Sequence, residues 1–155
     1  MLLTIFESIA DGFNDGEFDL ASLFAREPAK QDDFIAQIID NIVDFINSPD
    51  AGAVLSLAGH SDRYDASSNH IQCLGVESAA STNRVNSALA LTVQLVQQQL
   101  PSAPADLSTI ANFDVHLRAP GAGVLVNDGY PLSEAQRKQN RRVQARLLVF
   151  KCDKN

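Results

Sequence analysis

At 155 residues, 45% of them hydrophobic and 20% charged, the chain suits one globular domain with a buried core and is cramped for two. A formal charge of −7 and a pI near 4.7 exclude a general nucleic-acid binder, which needs a basic surface to neutralise phosphates. The charge is uneven all the same: seven of the 12 Lys and Arg lie in the last 19 residues, whereas the first 60 hold only Arg26 and Lys30, so the front is acidic and the end basic.

Met1 to Glu7 has no basic n-region and its apolar run breaks at Glu7, so it does not read as a secretory signal. No stretch approaches the roughly 20 apolar residues that span a bilayer, and direct membrane insertion is not expected. Cys73 and Cys152 match no metal-site spacing and leave open either one disulfide or two thiols. Leu2 to Phe6 fits a strand or the start of a short helix. After the turn signal Asn14-Asp15-Gly16, Phe18 and Leu20 alternate, and this spacing places the first strand at Glu17 to Leu20. Residues 1–16 are then an N-terminal extension of a single domain, 1–155, with its core over about 17–151.

From Gln31 to Asn47, Phe34, Ile35, Ile38, Ile39, Ile42, Phe45 and Ile46 recur at helical spacing, and Asp32 and Asp33 suit the positive end of the helix dipole. Ser48-Pro49-Asp50 stops that helix. Val54 to Ala58 is nearly all apolar, which predicts a strand buried on both faces in the middle of a mixed sheet. A long polar loop, Arg63 to Gly75, follows. The next helix runs from about Ser78 to Gln99, with Val85, Ala88, Leu89, Thr92, Val93 and Val96 as its buried stripe. Phe113 to Arg118 alternates strictly, Ser133 caps a short helix, and Arg142 to Lys151 forms the last strand. The order β-α-β-α-β-(α)-β predicts an α/β sandwich, two main helices packed on a mixed four-stranded sheet.

Asp62 lies just past the second strand and Arg84 in the first turns of the following helix, so a right-handed crossover brings them close. A carboxylate and a guanidinium beside open backbone suit a zwitterionic ligand, the acid taking its ammonium and the arginine its carboxylate in a bidentate pair. The same two residues equally suit a salt bridge tying loop to helix. Successive strand residues face opposite ways, so Arg141 and Arg142 cannot both point at one ligand. No aromatic platform accompanies this basic cluster, which again speaks against nucleic acid. His60 and Ser61 point to opposite faces and make no nucleophile–base pair, and no further ligand has metal-site spacing. An enzyme, a metal and a cofactor are all unexpected.

Three blocks in order carry a family resemblance: Gly59-His60-Ser61-Asp62, then Ser81-Thr82-Asn83-Arg84, then Arg137-Lys138-Gln139-Asn140-Arg141-Arg142-Val143. They resemble the G-H-T-D, L-S-x-x-R-A and G-R-x-x-N-R-R-V blocks of the OmpA C-terminal-like peptidoglycan-binding domains, shared with MotB-type stator proteins and peptidoglycan-associated lipoprotein. The resemblance covers about residues 17–151 and implies noncatalytic gripping of diaminopimelate in the peptidoglycan stem peptide, in the periplasm or cell envelope, anchoring a membrane-tethered complex to the wall. By resemblance Asp62 faces the ligand's amine, Arg84 takes its carboxylate and Arg141 lies at the cleft. Asn140 shapes the loop beside it, and Arg142 holds structure together. Glu77 stands where many relatives carry a ligand-contacting asparagine. Ser61 replaces a threonine, Ala80 a leucine and Val85 a small residue, and Gly123-Val124 lacks the family's glutamate. These departures and the absence of a signal sequence leave an alternative, a degenerate domain of the same fold that docks a protein, or a cytoplasmic one.

Overall fold

Runs that alternate with period two give this chain its strands, and runs with apolar residues three and four apart give its helices. The structure, a computed structural model, describes residues 1–48, 50–65 and 68–151. Strands β1 (Leu2–Asp11), β2 (Ala51–His60), β3 (Phe113–Gly121) and β4 (Arg142–Lys151) form one sheet in the order β1-β4-β2-β3. β4 runs antiparallel to β1 and β2, while β2 and β3 are parallel, so the sheet is mixed. The helices are α1 (Leu20–Arg26), α2 (Pro28–Phe34), α3 (Asp40–Ile46), α4 (His70–Gln99) and α5 (Glu134–Asn140). The fold is the α/β sandwich that the alternation of elements predicts.

One face of the sheet is covered. Ala53, Leu55 and Leu57 of β2 and Val143, Ala145 and Leu147 of β4 meet Ile38, Ile42, Val85, Ala88 and Val96 in a single buried cluster. Each such Leu or Ile contributes about 1.5–3 kcal/mol on burial. The helix predicted from Gln31 forms from Pro28, whose missing N–H costs nothing in a first turn. A π turn at Ile35–Ile39 joins α2 to α3, and Asn41 Nδ2 donates to the carbonyls of Ala36 and Gln37 there, at 3.2 and 2.9 Å. Pro49, part of the predicted stop, lies outside the described residues, as does Cys152.

Three expectations need correction. The first strand is Leu2–Asp11, not Glu17 to Leu20: Asp19 accepts from Ala21 N and caps α1, which takes Leu20 into a helix. β1 escapes a clean period-two reading because Leu3, Ile5 and Ile9 are apolar yet exposed on the outer face, while Phe6, Ser8 and Ala10 turn inward. Residues 1–16 therefore supply an edge strand rather than an extension. β2 is central but not buried on both faces, since Gly52, Val54, Ser56 and Ala58 are half-buried on the side that no helix covers. Finally, α4 begins at His70, eight residues before Ser78. Asn69 caps it, accepting from Ile71 N and Gln72 N at 3.0 and 3.2 Å. Its first two turns project beyond the sheet with Ile71 and Leu74 exposed, so no amphipathic stripe announces them.

Candidate functional site

The site is assembled where β2 ends against α4. A Cβ added at Gly59 would stand 2.2 Å from the Ser81 carbonyl oxygen and 2.7 Å from Val85 N, so only glycine lets the helix come this close. Ser81 Oγ uses that proximity: it donates to the Gly59 carbonyl and accepts from Gly121 N at 3.0 Å. One buried hydroxyl thus ties the ends of β2 and β3 to α4 and fixes where Arg84, three residues on, must lie.

Arg84 is almost wholly buried, at 2% exposure. Its Nε and Nη2 donate to the Glu17 carbonyl at 3.0 and 2.7 Å, its Nη1 donates to the His60 carbonyl at 2.9 Å, and its plane lies 5.0 Å from the Phe13 ring. Burial, with a smaller push from Arg141, pulls its pKa down to about 10, so it stays a cation at neutral pH. No carboxylate pairs with it among the described residues.

Asp62 is also buried, at 7% exposure, but is held differently. Arg137 Nη1 donates to its Oδ2 at 2.7 Å, Asn140 Nδ2 donates to its Oδ1 at 2.9 Å, and Arg141 Nη2 stands 3.9 Å from Oδ2. Donating to Asp62 and, less closely, to Asp65 raises the Arg137 pKa above the usual arginine value. Arg141 donates from Nη1 to Glu134 at 2.7 Å and to the Phe13 carbonyl at 3.4 Å.

Asp15, Asp62, Tyr64, Glu77, Arg84 and Arg141 line one cleft of about 290 Å³. The structure brings four of the five residues singled out from sequence to this one opening. The fifth, Asn140, does not line it. Asn140 is fully buried and saturated, donating to Asp62 and the Asn127 carbonyl and accepting from Val126 N and Asn127 N, all at 2.9 Å. It acts on the cleft through Asp62. Glu77 neither pairs with Arg84 nor stands free, because its Oε1 accepts from Tyr64 N at 2.9 Å and shapes the loop after β2. Arg142 lies apart from the cleft, bonding the carbonyls of Asn140 and Val124 at 3.1 Å. His60, wholly buried, is driven down to a pKa of about 4 by desolvation first and Arg142 second, and is neutral near pH 7.

Sequence reasoning missed Arg137 as a partner of Asp62, and missed Asp15 and Tyr64. Arg137 could have been found: it sits three residues before Asn140, on the same face of α5, whose C-cap is Arg141. A larger hollow of about 580 Å³ lies on the open face of the sheet. Its Glu7 and Arg146 are exposed and pair with each other at 2.5 Å, so it lacks the buried charge that marks the cleft.

No family model and no curated protein sequence matches the chain. Among solved structures it is similar to a MotB-like protein from Desulfovibrio vulgaris, at 17% identity and a TM-score of 0.47, over 94% of this chain and 74% of that one. It is similar to the OmpA-like domain of FopA1 from Francisella tularensis at 11% identity and a TM-score of 0.42, over 97% and 77%. The cell wall anchor of the T6SS from Pseudomonas aeruginosa aligns at 17% identity and 0.35, over 74% of this chain and 65% of that one.

Proposed function

We propose that the cleft binds, without catalysis, the amino-acid end of diaminopimelate in a peptidoglycan stem peptide, and so attaches this domain and whatever carries it to the cell wall in the periplasm. The observation that carries this is Arg84, a buried cation whose hydrogen bonds, among the described residues, go only to carbonyls. Three of its five N–H groups are used, which leaves one on each terminal nitrogen for a ligand carboxylate. Asp62 stands in the same opening for the ligand's ammonium. The charge layout matches a zwitterion, and the three sequence blocks supply these residues.

Sedimentation with diaminopimelate-type sacculi tests the reading. The wild-type chain is expected in the pellet. Asp62→Asn and Arg84→Lys, the latter keeping the charge but losing the bidentate fork, are expected to weaken pelleting by about tenfold or more. Sacculi with lysine at the same stem position lack the second carboxylate and are expected to leave the protein in solution. No pelleting by the wild type would end the proposal.

One observation favours a second reading, a protein-docking module of the same fold. Both oxygens of Asp62 already have internal partners, and Ile71 and Leu74 stand exposed on the projecting turns of α4. That reading expects no sacculus binding and a defined complex by light scattering, burying about 800 Å² per partner.

A further inference from the structure

The acid of the cleft is already engaged by a cation of the protein's own. Arg137 reaches Asp62 Oδ2 at 2.7 Å from Nη1, and Asp65 Oδ2 at 3.2 Å from Nη2. We infer that Arg137 holds the place of the ligand's ammonium on Asp62, and that an amino-acid ligand binds by displacing it toward Asp65. The inference rests on the cleft being a zwitterion site.

The two partners of Asp62 differ in their freedom to leave. Asn140 is fully buried with all four of its hydrogen-bonding positions filled, so its bond to Oδ1 is fixed. Arg137 is 23% exposed along its side chain and already shares itself between two carboxylates. Asp65, 44% exposed, gives the displaced guanidinium somewhere to go with an ion pair intact. The exposed partner is the one that moves: the Asp65 pair replaces part of what Arg137 loses, while the ligand's ammonium, Asn140 and Arg141 keep the buried Asp62 partnered. An incoming ammonium brings three donors, turns one of them to Oδ2 and leaves the Asn140 bond untouched.

Among the described residues no carboxylate is hydrogen-bonded to Arg84, which donates to carbonyl oxygens while Asp15 and Glu17 act on it through charge alone. Arg137 therefore weighs on the amine of a ligand and not on its acid. It sets how far the cleft favours an amino acid over the same acid without nitrogen.

Titration calorimetry on the full chain tests this with meso-diaminopimelate and with pimelate, the same carbon chain lacking both amines. Arg137→Gln is expected to bind diaminopimelate about fivefold more tightly than the wild type, the gain from removing one part-exposed competing pair, and to show no gain for pimelate. A thermal melt of the variant establishes that it is folded. An unchanged or weakened affinity for diaminopimelate, or an equal gain for both ligands, overturns the displacement and leaves the zwitterion site standing. Absence of diaminopimelate binding by wild type and variant alike overturns the zwitterion site itself, and the displacement with it.

Discussion

The two charged walls of the cleft are built by opposite means. On the α4 side, Arg84 is held by the backbone carbonyls of Glu17 and His60 and by the Phe13 ring. On the α5 side, Asp62 is held by the side chains of Arg137 and Asn140, with Arg141 nearby. The His60 carbonyl belongs to β2, and the loop that carries Glu17 is pinned by the fully buried Phe13 ring, so the first wall is rigid and cannot be altered without loosening the fold. Side-chain partners can rotate away, so the second wall can be rearranged at little cost. The difference predicts which substitutions unfold the protein and which only retune the site.

The sharpest way to break the comparison is Arg84→Met. It strands the buried carbonyl of His60 and the part-buried one of Glu17, each costing about 1–3 kcal/mol with the second at the low end, for an expected total of ~3 kcal/mol. A fall in the urea midpoint with unchanged slope would measure it. A variant as stable as the wild type would mean that this wall is not a staple of the fold.

His60 joins the same wall, since its carbonyl receives Arg84 while its ring is buried. Its folded pKa of about 4 lies below the ordinary 6.5. As pH falls from 6.5 toward 4, the unfolded chain takes up a proton that the folded chain refuses. The stability that His60 confers is therefore whole above pH 6.5, declines through that window and levels off below it. The expected loss is about 3 kcal/mol, and it should vanish from the pH profile of His60→Gln, measured by urea unfolding at several pH values. Parallel profiles for the two proteins would show that the ring does not resist protonation.

Ser81→Ala tests the clamp beneath both walls. It leaves the Gly59 carbonyl and Gly121 N–H without their shared partner, for a loss of about 1–2 kcal/mol by thermal or urea unfolding. Because Ser81 sets the position of Arg84, sacculus binding should weaken as well. Loss of stability with binding intact would separate the clamp from the site.

Where sequence pattern carried the information, the fold was legible. Arg142 to Lys151 became β4 with those bounds, because Val143, Ala145, Leu147 and Val149 alternate inward in a strand paired on both sides. The Ser133 cap likewise placed the start of α5, and in the structure Gln136 completes it as a capping box. β1 was not legible, since an open sheet face lets apolar Leu3, Ile5 and Ile9 sit outward and erases the alternation. The start of α4 was hidden for the converse reason, as turns that pack on nothing need no stripe. At the site, the approach of Asp62 and Arg84 followed from the order of elements, whereas Glu77 and Arg141 were expected there from the family resemblance. The identity of each partner did not. Asp62 is bonded by residues 75 and 78 positions away, and Arg84 by a carbonyl 67 away, so those pairings depend on side-chain reach across the finished fold.

The smallest expected effect is also the one that most sharpens the contrast between the walls. Arg137 is 23% exposed along its side chain, and the part of Asp62 it touches is shared with Arg141. Part-exposed ion pairs contribute about 1 kcal/mol or less, and dissolved ions screen them. Arg137→Gln should therefore lower stability by no more than ~1 kcal/mol at low salt, and by less as ionic strength rises toward 1 M. Arg84→Met should show the same large loss at every salt concentration, because buried carbonyl bonds are not screened. If instead the Arg137→Gln penalty were large and independent of salt, Asp62 would depend on Arg137 as firmly as on Asn140. The α5 wall would then be as rigid as the α4 wall, and a ligand ammonium could not take Arg137's place.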